Sequence, residues 1–486
     1  MAVPAEVRET HSATVVFIGD RAYKVKKPLD LGFADFRSLA ARRAVCHREV
    51  ELNRRLAPDV YLGVADVHGP DGAVCEHLVV MRRMPADRRL SDLVRSGAPV
   101  DEHLRHVAHA LAALHAGSPR SALADEEAGA AATRRRWRTN TTEMLASEPA
   151  VLDAARVEEV QAAAERYLRG REPLFAARVA DGRGVDGHGD LLADDIFCLD
   201  DGPRILDCLE FDDRLRVGDG LADAAFLAMD LERLGRPDLG RRFLDVYQDH
   251  RGDVWPRSLA HHHVAYRAQV RAKVGAIRAR QGDAGEAAGA RDLLELAARH
   301  LHDGRVRLVL VGGLPGTGKT TLANGLANQL GLVLLRSDEV RKDLAGIPID
   351  APAPARFEEG IYSRKATEDT YTRLLQRAAV ALRMGETVVL DASWTSEDHR
   401  SLARALARAT SSELIELRCD APAATTRDRI LQRLRQGTDA SDATPAIARE
   451  LERLDAVWPQ AARIDTSGSA ADALAAALEH LDGAPG

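Results

Sequence analysis

Residues 305–322 read RVRLVLVGGLPGTGKTTL. The branched, apolar run VRLVLV at 306–311 has the pattern of a buried strand. Gly313 to Thr320, GLPGTGKT, then fits G-x-x-x-x-G-K-[ST] at every fixed position, and a helical pattern, TTLANGLANQLG, follows at once. Strand, glycine loop and helix in that order predict a phosphate-binding loop. Gly313, Gly316 and Gly318 let successive backbone N–H groups turn inward around a phosphate, and the helix start, at Thr320 and Thr321, adds positive potential. Lys319 is placed to reach the β- and γ-phosphates of ATP, and the Thr320 hydroxyl to ligate Mg²⁺.

Working outward, the chain has 486 residues, too many for one core, so two or three domains are expected. Hydrophobic content of 45% and charged content of 29% describe a globular protein. A net charge of -7 offers no global attraction to nucleic acid. Cys46, Cys75, Cys198, Cys208 and Cys419 are odd in number and scattered, with no C-x-x-C pair, which argues against a disulfide framework or a zinc site. No apolar run reaches the length of a membrane span and no signal-peptide pattern is visible, so a cytoplasmic protein without a membrane partner is expected.

Downstream of the loop, Val333-Leu-Leu reads as a second strand leading into Arg336-Ser-Asp338-Glu-Val-Arg341. Parallel α/β sheets gather ligands at the C-terminal ends of their strands, where Asp338 falls. Arg341 follows one helical turn later on the same side. The carboxylate can take a proton from a substrate hydroxyl while the guanidinium holds an anionic group. A helix over 364–383 precedes Thr387-Val-Val-Leu390-Asp391, a strand ending in an aspartate that would stand near Mg²⁺ through water. Arg429 and Arg433 share one helix face ahead of a polar loop, GTDASDAT at 437–444, and Arg433 is the arginine assigned to a lid over the transferring phosphoryl group.

In the first half, ATVVFI at 13–18 and AYKVKK at 22–27 read as a hairpin that puts Lys24 and Lys26 on one strand face. A helix over about 35–56 carries Glu49 and Glu51, a strand ends at Arg82, and residues 118–135 read as a loop or mobile helix. His188-Gly-Asp190 opens two short strands, 196–199 and 204–206, joined by a D-G-P turn and ending in Asp207. The hairpin brings Asp190 and Asp207 to one end, where one can orient a hydroxyl and the other hold Mg²⁺. His261-His262-His263 do not form a metal site on a helix, since consecutive residues point about 100° apart.

Here the chain resembles the aminoglycoside phosphotransferase family, with its protein-kinase-like fold, over roughly residues 10–275. That resemblance implies Asp190 as catalytic base, Asp207 as metal-binding aspartate, and Asp195 in place of the family's metal-binding asparagine. It further implies a lysine–glutamate pair for the α/β-phosphates, Lys24 or Lys26 with Glu49 or Glu51, and an adenine hinge at 82–85. Residue 192, often polar in the family, is Leu192. The half from 305 resembles the P-loop kinases that include zeta toxins and polynucleotide 5′-hydroxyl kinases, in which the residue matching Asp338 is the base and that matching Arg341 contacts substrate. The whole resembles a bacterial two-domain family joining the two modules. The expected fold is an α+β kinase-like N-terminal domain (lobes 1–85 and 86–300) followed by an α/β P-loop domain with a parallel sheet at 305–486. The expected function is ATP- and Mg²⁺-dependent phosphoryl transfer to a small-molecule hydroxyl. Its rivals are a P-loop enzyme regulated by a non-catalytic kinase-like domain, and a nucleic-acid 5′-hydroxyl kinase, against which the acidic balance argues.

Overall fold

The computed structural model describes residues 5–9, 12–30, 35–147, 149–283, 285–349, 351, 359–436, 445–454 and 456–483. The chain divides into two compact units. One comprises 1–161, 175–255 and 260–300; the other comprises 162–174, 256–259 and 301–486.

The first unit opens with an antiparallel sheet of β1 (Glu6–Glu9), β2 (Ala13–Ile18), β3 (Arg21–Lys26), β4 (Tyr61–His68) and β5 (Val74–Arg82), in the order β1-β2-β3-β5-β4. β3 alternates half-buried and buried residues, so Ala22, Lys24 and Lys26 all face inward, toward the helix side of the sheet. That helix, Leu39–Asn53, is capped by the Ser38 hydroxyl, which accepts from the Ala41 amide at 3.1 Å. Its inward face carries Cys46, Glu49 and Val50, and Cys46 and Val50 share a core with Tyr61, Val79 and Leu206. The sequence reading missed β4 as an element, because its alternation is broken by Gly63 and by register shifts at both ends of its pairing with β5.

The rest of this unit is mainly helical. Of the two readings of residues 118–135, helix holds for most of the span: they include the helix Ala122–Ala128 and the start of the helix Ala130–Leu145. The alanines that hid a pattern are its buried face, with Ala124, Ala128 and Ala132 each nearly inaccessible. Short strands follow: β6 (Gly184–Asp186), β7 (Ile196–Leu199), β8 (Gly202–Ile205) and β9 (Val217–Asp219). β7 and β8 form the hairpin, and β6 pairs with β9. His262 and His263, in the helix Arg257–Arg280, pack into the core, where the Trp137 indole N–H donates to His262 Nε2 at 3.2 Å.

The second unit holds a wholly parallel sheet of β10 (Arg307–Gly312), β11 (Val333–Arg336), β12 (Val388–Asp391), β13 (Glu413–Asp420) and β14 (Ala462–Asp465). Their order is β11-β12-β10-β13-β14. β10 is buried from Leu308 to Gly312, as its continuous apolar run requires of a central strand covered on both faces. Leu322 and Leu326 of the helix Lys319–Leu330 pack on it together with Ala473, Ala477 and Leu481 of the helix Ala470–Asp482. Each such leucine contributes roughly 1.5–3 kcal/mol. Register aligns the functional ends of three strands: Asp391 pairs with Val311 on one side and Arg336 on the other.

Candidate active sites

In the first unit β3 and the helix Leu39–Asn53 build a buried charge ladder. Glu49 stands between two lysines, 2.9 Å from Lys24 and 2.7 Å from Lys26. Lys24 also reaches Asp207 at 2.5 Å, and Lys26 reaches Glu210 at 2.5 Å. The alternatives left by the sequence thus resolve asymmetrically. Glu49 is the acid for both lysines, while Glu51 pairs with Arg48 on the surface. Lys24 is the lysine that touches the aspartate after β8. Burial works against the Lys24 charge, but Asp207 and Glu49 outweigh it and hold the ammonium well above its usual pKa.

Asp207 is held down to about 2, first by the Lys24 charge. Its backbone is left-handed, with φ of 63°, and its amide donates to the Tyr61 hydroxyl at 3.1 Å. A non-glycine residue in that region is a strained feature of the kind found at ligand sites. Asp195 is pushed well up by burial and by the charges of Asp207 and Asp190. Asp190 is raised by burial, against the pull of Arg271 and His188. Asp195 and Asp207 are the carboxylates that could contribute to holding a cation here, with Asp190 close enough to feel both charges.

The loop carrying Asp190 is braced from below. Asp223, in the helix Gly220–Arg233, accepts from the His188 amide at 2.7 Å and the Gly189 amide at 2.8 Å, and lies 3.0 Å from His115 Nε2. The His115 ring in turn meets the Tyr247 hydroxyl at 2.8 Å. His188 is buried, with Nε2 3.0 Å from the Leu206 carbonyl, which ties the Asp190 loop to the end of β8.

In the second unit Gly313, Gly316 and Gly318 have φ of 139°, 83° and 88°. A Cβ on Gly316 would lie 2.5 Å from the Thr426 carbonyl, and one on Gly313 would lie 2.7 Å from the Cys419 carbonyl. The loop is therefore glycine both for conformation and for close packing. Lys319, Thr320 and Thr321 form the first turn of the following helix. The Thr320 hydroxyl donates to Asp391 Oδ2 at 2.8 Å, and Arg336 Nε lies 3.3 Å from the same oxygen. Asp391 Oδ1 is buried with no hydrogen-bond partner. Burial raises the Asp391 carboxyl, opposed by Lys319 and the Thr320 hydroxyl. A buried carboxylate oxygen left open beside a threonine hydroxyl and a lysine suits a hydrated Mg²⁺. Among the described residues no group of three or more His, Cys, Asp or Glu side chains is placed to hold a metal ion.

Asp338 sits in the first turn of the helix Ser337–Leu344, directly after β11. Arg341 is buried; its Nη1 donates to the Ile361 carbonyl at 2.9 Å and the Thr367 hydroxyl at 3.2 Å, and its guanidinium lies 4.8 Å from the Tyr362 ring centroid. Its Nε has no hydrogen-bond partner. Arg433 belongs to the helix Ala423–Gln436, but its side chain lies outside the described residues, as do residues 437–444. Arg429, one turn earlier, donates through Nη2 to the Thr466 carbonyl at 2.7 Å. Its Nη1 is buried without a hydrogen-bond partner, 3.5 Å from where a Gly318 Cβ would stand.

The family model described as "Phosphotransferase enzyme family" matches residues 6–261, and that described as "AAA domain" matches residues 308–456. The chain belongs to the phosphotransferase enzyme family. The uncharacterized protein Rv2004c of Mycobacterium tuberculosis is 44% identical over 95% of this chain and 92% of that protein. Among solved structures, a choline/ethanolamine kinase family protein from Mesorhizobium loti is 17% identical over 61% of this chain and 91% of that one, with a TM-score of 0.39. The Mycobacterium tuberculosis APS kinase CysC, in complex with AMPPNP and APS, is 21% identical over 37% of this chain and 98% of that one, with a TM-score of 0.29.

Within this phosphotransferase three site residues escaped the sequence reading. Asp223 lies 33 positions beyond Asp190 in a helix whose pattern reads as core, and its only local signal is its burial-prone neighbourhood, AFLAM. Glu210, three residues past Asp207, closes the charge ladder on Lys26, and its local sequence gives it no role. Arg429 was visible as the partner of Arg433 on one helix face, and a test of which arginine points at the glycine loop needs the fold.

Proposed function

We propose that this protein transfers the γ-phosphoryl group of ATP to hydroxyl groups of small molecules, with one nucleotide site at the P-loop and a second in the N-terminal cleft. The observation that carries this reading is the open Asp391 Oδ1 beside Thr320 and the glycine cradle, a donor set that suits Mg²⁺ and a triphosphate. At the P-loop, Lys319 and the backbone amides of Gly316 to Thr321 bind phosphate oxygens, Asp338 accepts the acceptor's proton, and Arg341 holds the acceptor. Arg429 and Arg433 contribute positive charge from the helix over the loop. In the N-terminal cleft Glu49 fixes Lys24 toward the phosphates, Asp190 accepts the acceptor's proton, and Asp195 and Asp207 hold the metal. Bound Mg²⁺ would neutralise charge on the phosphates during transfer. Everything the side chains do is positioning and charge compensation, which is where phosphoryl-transfer enzymes find their rate.

A second reading keeps the P-loop chemistry and makes the N-terminal domain a nucleotide-binding regulator. One observation favours it: Asp195, with Asp190 and Asp207 beside it, adds a third carboxylate where a polyphosphate must approach. ATP consumption with Mg²⁺ by wild type, Lys319→Ala, Asp190→Asn and the double variant, against sugars, aminoglycosides, nucleosides and nucleic-acid 5′ ends, separates the two. Distinct substrates lost in each single variant support two active sites. Loss of all turnover in Lys319→Ala, with Asp190→Asn unchanged, supports the regulator. Turnover of every substrate by the double variant would sink both.

A further inference from the structure

The turn Ala392-Ser393-Trp394 leaves β12 between the strand that feeds the P-loop and the strand that feeds Asp338, since the order is β11-β12-β10. It is fastened to the start of the glycine cradle. The Ala392 amide donates to the Val311 carbonyl at 3.3 Å, and the Gly313 amide donates to the Ser393 carbonyl at 3.2 Å. Trp394 is fully buried and left-handed, with φ of 53°. A non-glycine residue in that region needs support from outside the turn.

Tyr371 supplies it. It stands in the helix Arg364–Arg383 one turn after Thr367, the residue that holds Arg341. Its ring is fixed on two sides, stacked on His399 at 3.8 Å between centroids and edge-on to Trp394 at 5.1 Å. Its hydroxyl accepts from the Trp394 amide at 3.2 Å and lies 3.2 Å from Ser393 Oγ. Tyr371 is 3% exposed, and burial raises its pKa, so the phenol keeps its proton. Among the described residues the acceptor in reach of that proton is Ser393 Oγ. A buried hydroxyl proton is costly to leave unpaired, so Tyr371 is the donor of this bond. The Ser393 hydroxyl then accepts from Tyr371, and its own proton has no partner among the described residues. Ser393 is half-buried, so a ligand can reach it. The charges around this mouth are balanced, with Lys319, Arg336 and Arg341 against Asp338, Glu339 and Asp391. Charge therefore neither supplies nor forbids a contact at Ser393; the free proton does.

We propose that Ser393 donates a hydrogen bond to a γ-phosphoryl oxygen of ATP at the P-loop, and that Tyr371 is the positioning residue that frees the Ser393 proton for it. The tie between Ser393 and Gly313 sets this serine against the phosphate loop, which is why the phosphoryl group rather than the acceptor is its partner. The inference rests on the P-loop domain being a phosphotransferase. In the transfer, the acceptor hydroxyl gives its proton to Asp338, and its oxygen bonds to the γ-phosphorus. The bond from that phosphorus to the bridging oxygen breaks, and ADP leaves. Ser393 and Tyr371 keep their protons throughout.

The test measures binding of AMPPNP and of ADP to the full chain with Mg²⁺ by titration calorimetry, the P-loop component being the one lost in Lys319→Ala. In Ser393→Ala the P-loop affinity for AMPPNP should fall about tenfold or more, as loss of a hydrogen bond to a charged oxygen gives, while that for ADP stays within about twofold. Ser393→Thr keeps a hydroxyl and should recover part of the loss. Tyr371→Phe should weaken AMPPNP selectively by a smaller factor, about threefold. Equal losses for the two nucleotides in Ser393→Ala and Tyr371→Phe assign the pair to packing and overturn the inference. Should Ser393→Ala alone lose both nucleotides, Tyr371→Phe decides by the same comparison. Unchanged AMPPNP affinity in Ser393→Ala also overturns it, whether or not the KM of an acceptor rises. If Lys319→Ala removes no component from the isotherm, the P-loop reading itself fails and the inference fails with it.

Discussion

Replacing Asp223 with alanine should unfasten the loop that carries Asp190. The carboxylate is 2% exposed and accepts from two backbone amides, His188 and Gly189, at 2.7 and 2.8 Å, with His115 as a third partner at 3.0 Å. Each buried N–H left without an acceptor costs about 1–3 kcal/mol, so two amides give about 2–6 kcal/mol before the loss at His115 is counted. Gly187 packs against the Asp223 carboxylate with no room for even a Cβ, so the carboxylate is held in place. Asp223→Asn keeps one acceptor oxygen but turns an amide donor toward other donors, so its loss should be intermediate. Amide hydrogen exchange read on peptides covering 184–195 measures this locally, without assuming that two units unfold as one. We expect protection at His188 and Gly189 to fall at least thirtyfold, about 2 kcal/mol, in Asp223→Ala. Protection within about threefold of wild type would refute the brace and reduce Asp223 to an ordinary helix residue. Asp223 is held below the usual carboxylate range by its partners, His115 foremost, against burial. Its stabilisation is therefore present above the unfolded-state carboxylate pKa and is lost only as pH falls through the lower folded value.

Gly316→Ala should abolish nucleotide binding at the P-loop and lower the stability of the second unit by about 2 kcal/mol or more, since a left-handed φ of 83° and a Thr426 carbonyl 2.5 Å away both oppose a Cβ. Titration calorimetry with ATP that still shows wild-type affinity would count against the cradle. In Lys24→Met the Asp207 carboxyl should titrate above its present value of about 2, and above the usual 3.8 if Asp190 and Asp195 then dominate. Because Asp207 is depressed in the folded protein, the stability it lends declines between about pH 4 and pH 2 in wild type, and that acid-limb loss should shrink in the variant. Carboxyl-carbon NMR reads the titration directly, and an unmoved Asp207 would show that Lys24 is not its partner. Glu49→Ala leaves two buried lysines without their shared acid and should destabilise the first unit by about 3–5 kcal/mol, whereas Glu51→Ala should stay within about 0.5 kcal/mol. Equal effects in denaturant melts would contradict the ladder. Arg429→Ala should weaken ATP binding about fivefold or more, because its open Nη1 stands beside Gly318; unchanged affinity would assign it to packing against Thr466.

Much of this protein is written locally. A glycine loop between a branched strand and a helix specifies its own conformation, because glycines at 313, 316 and 318 are the residues that tolerate those φ values. The hairpin ending in Asp207 and the shared face of Lys24 and Lys26 follow from strand alternation alone. Alternation does not say which of two acids a lysine meets. Lys24 and Asp207 are 183 positions apart, and the choice of Glu49 over Glu51 was made by the rotation of a helix packing its Cys46–Val50 face on the sheet. The helices at 122–145 were hidden because alanine carries little pattern of its own, and only burial against neighbours distinguishes its faces. The same is true of the pieces that finish each site. Asp223 under the Asp190 loop and Arg429 beside the glycine cradle stand on helices whose sequence fits ordinary packing or solvent exposure. The motif residues were legible because backbone conformation is a local property. Their partners were not, because a buried charge is defined by whatever the fold brings within about 4 Å of it.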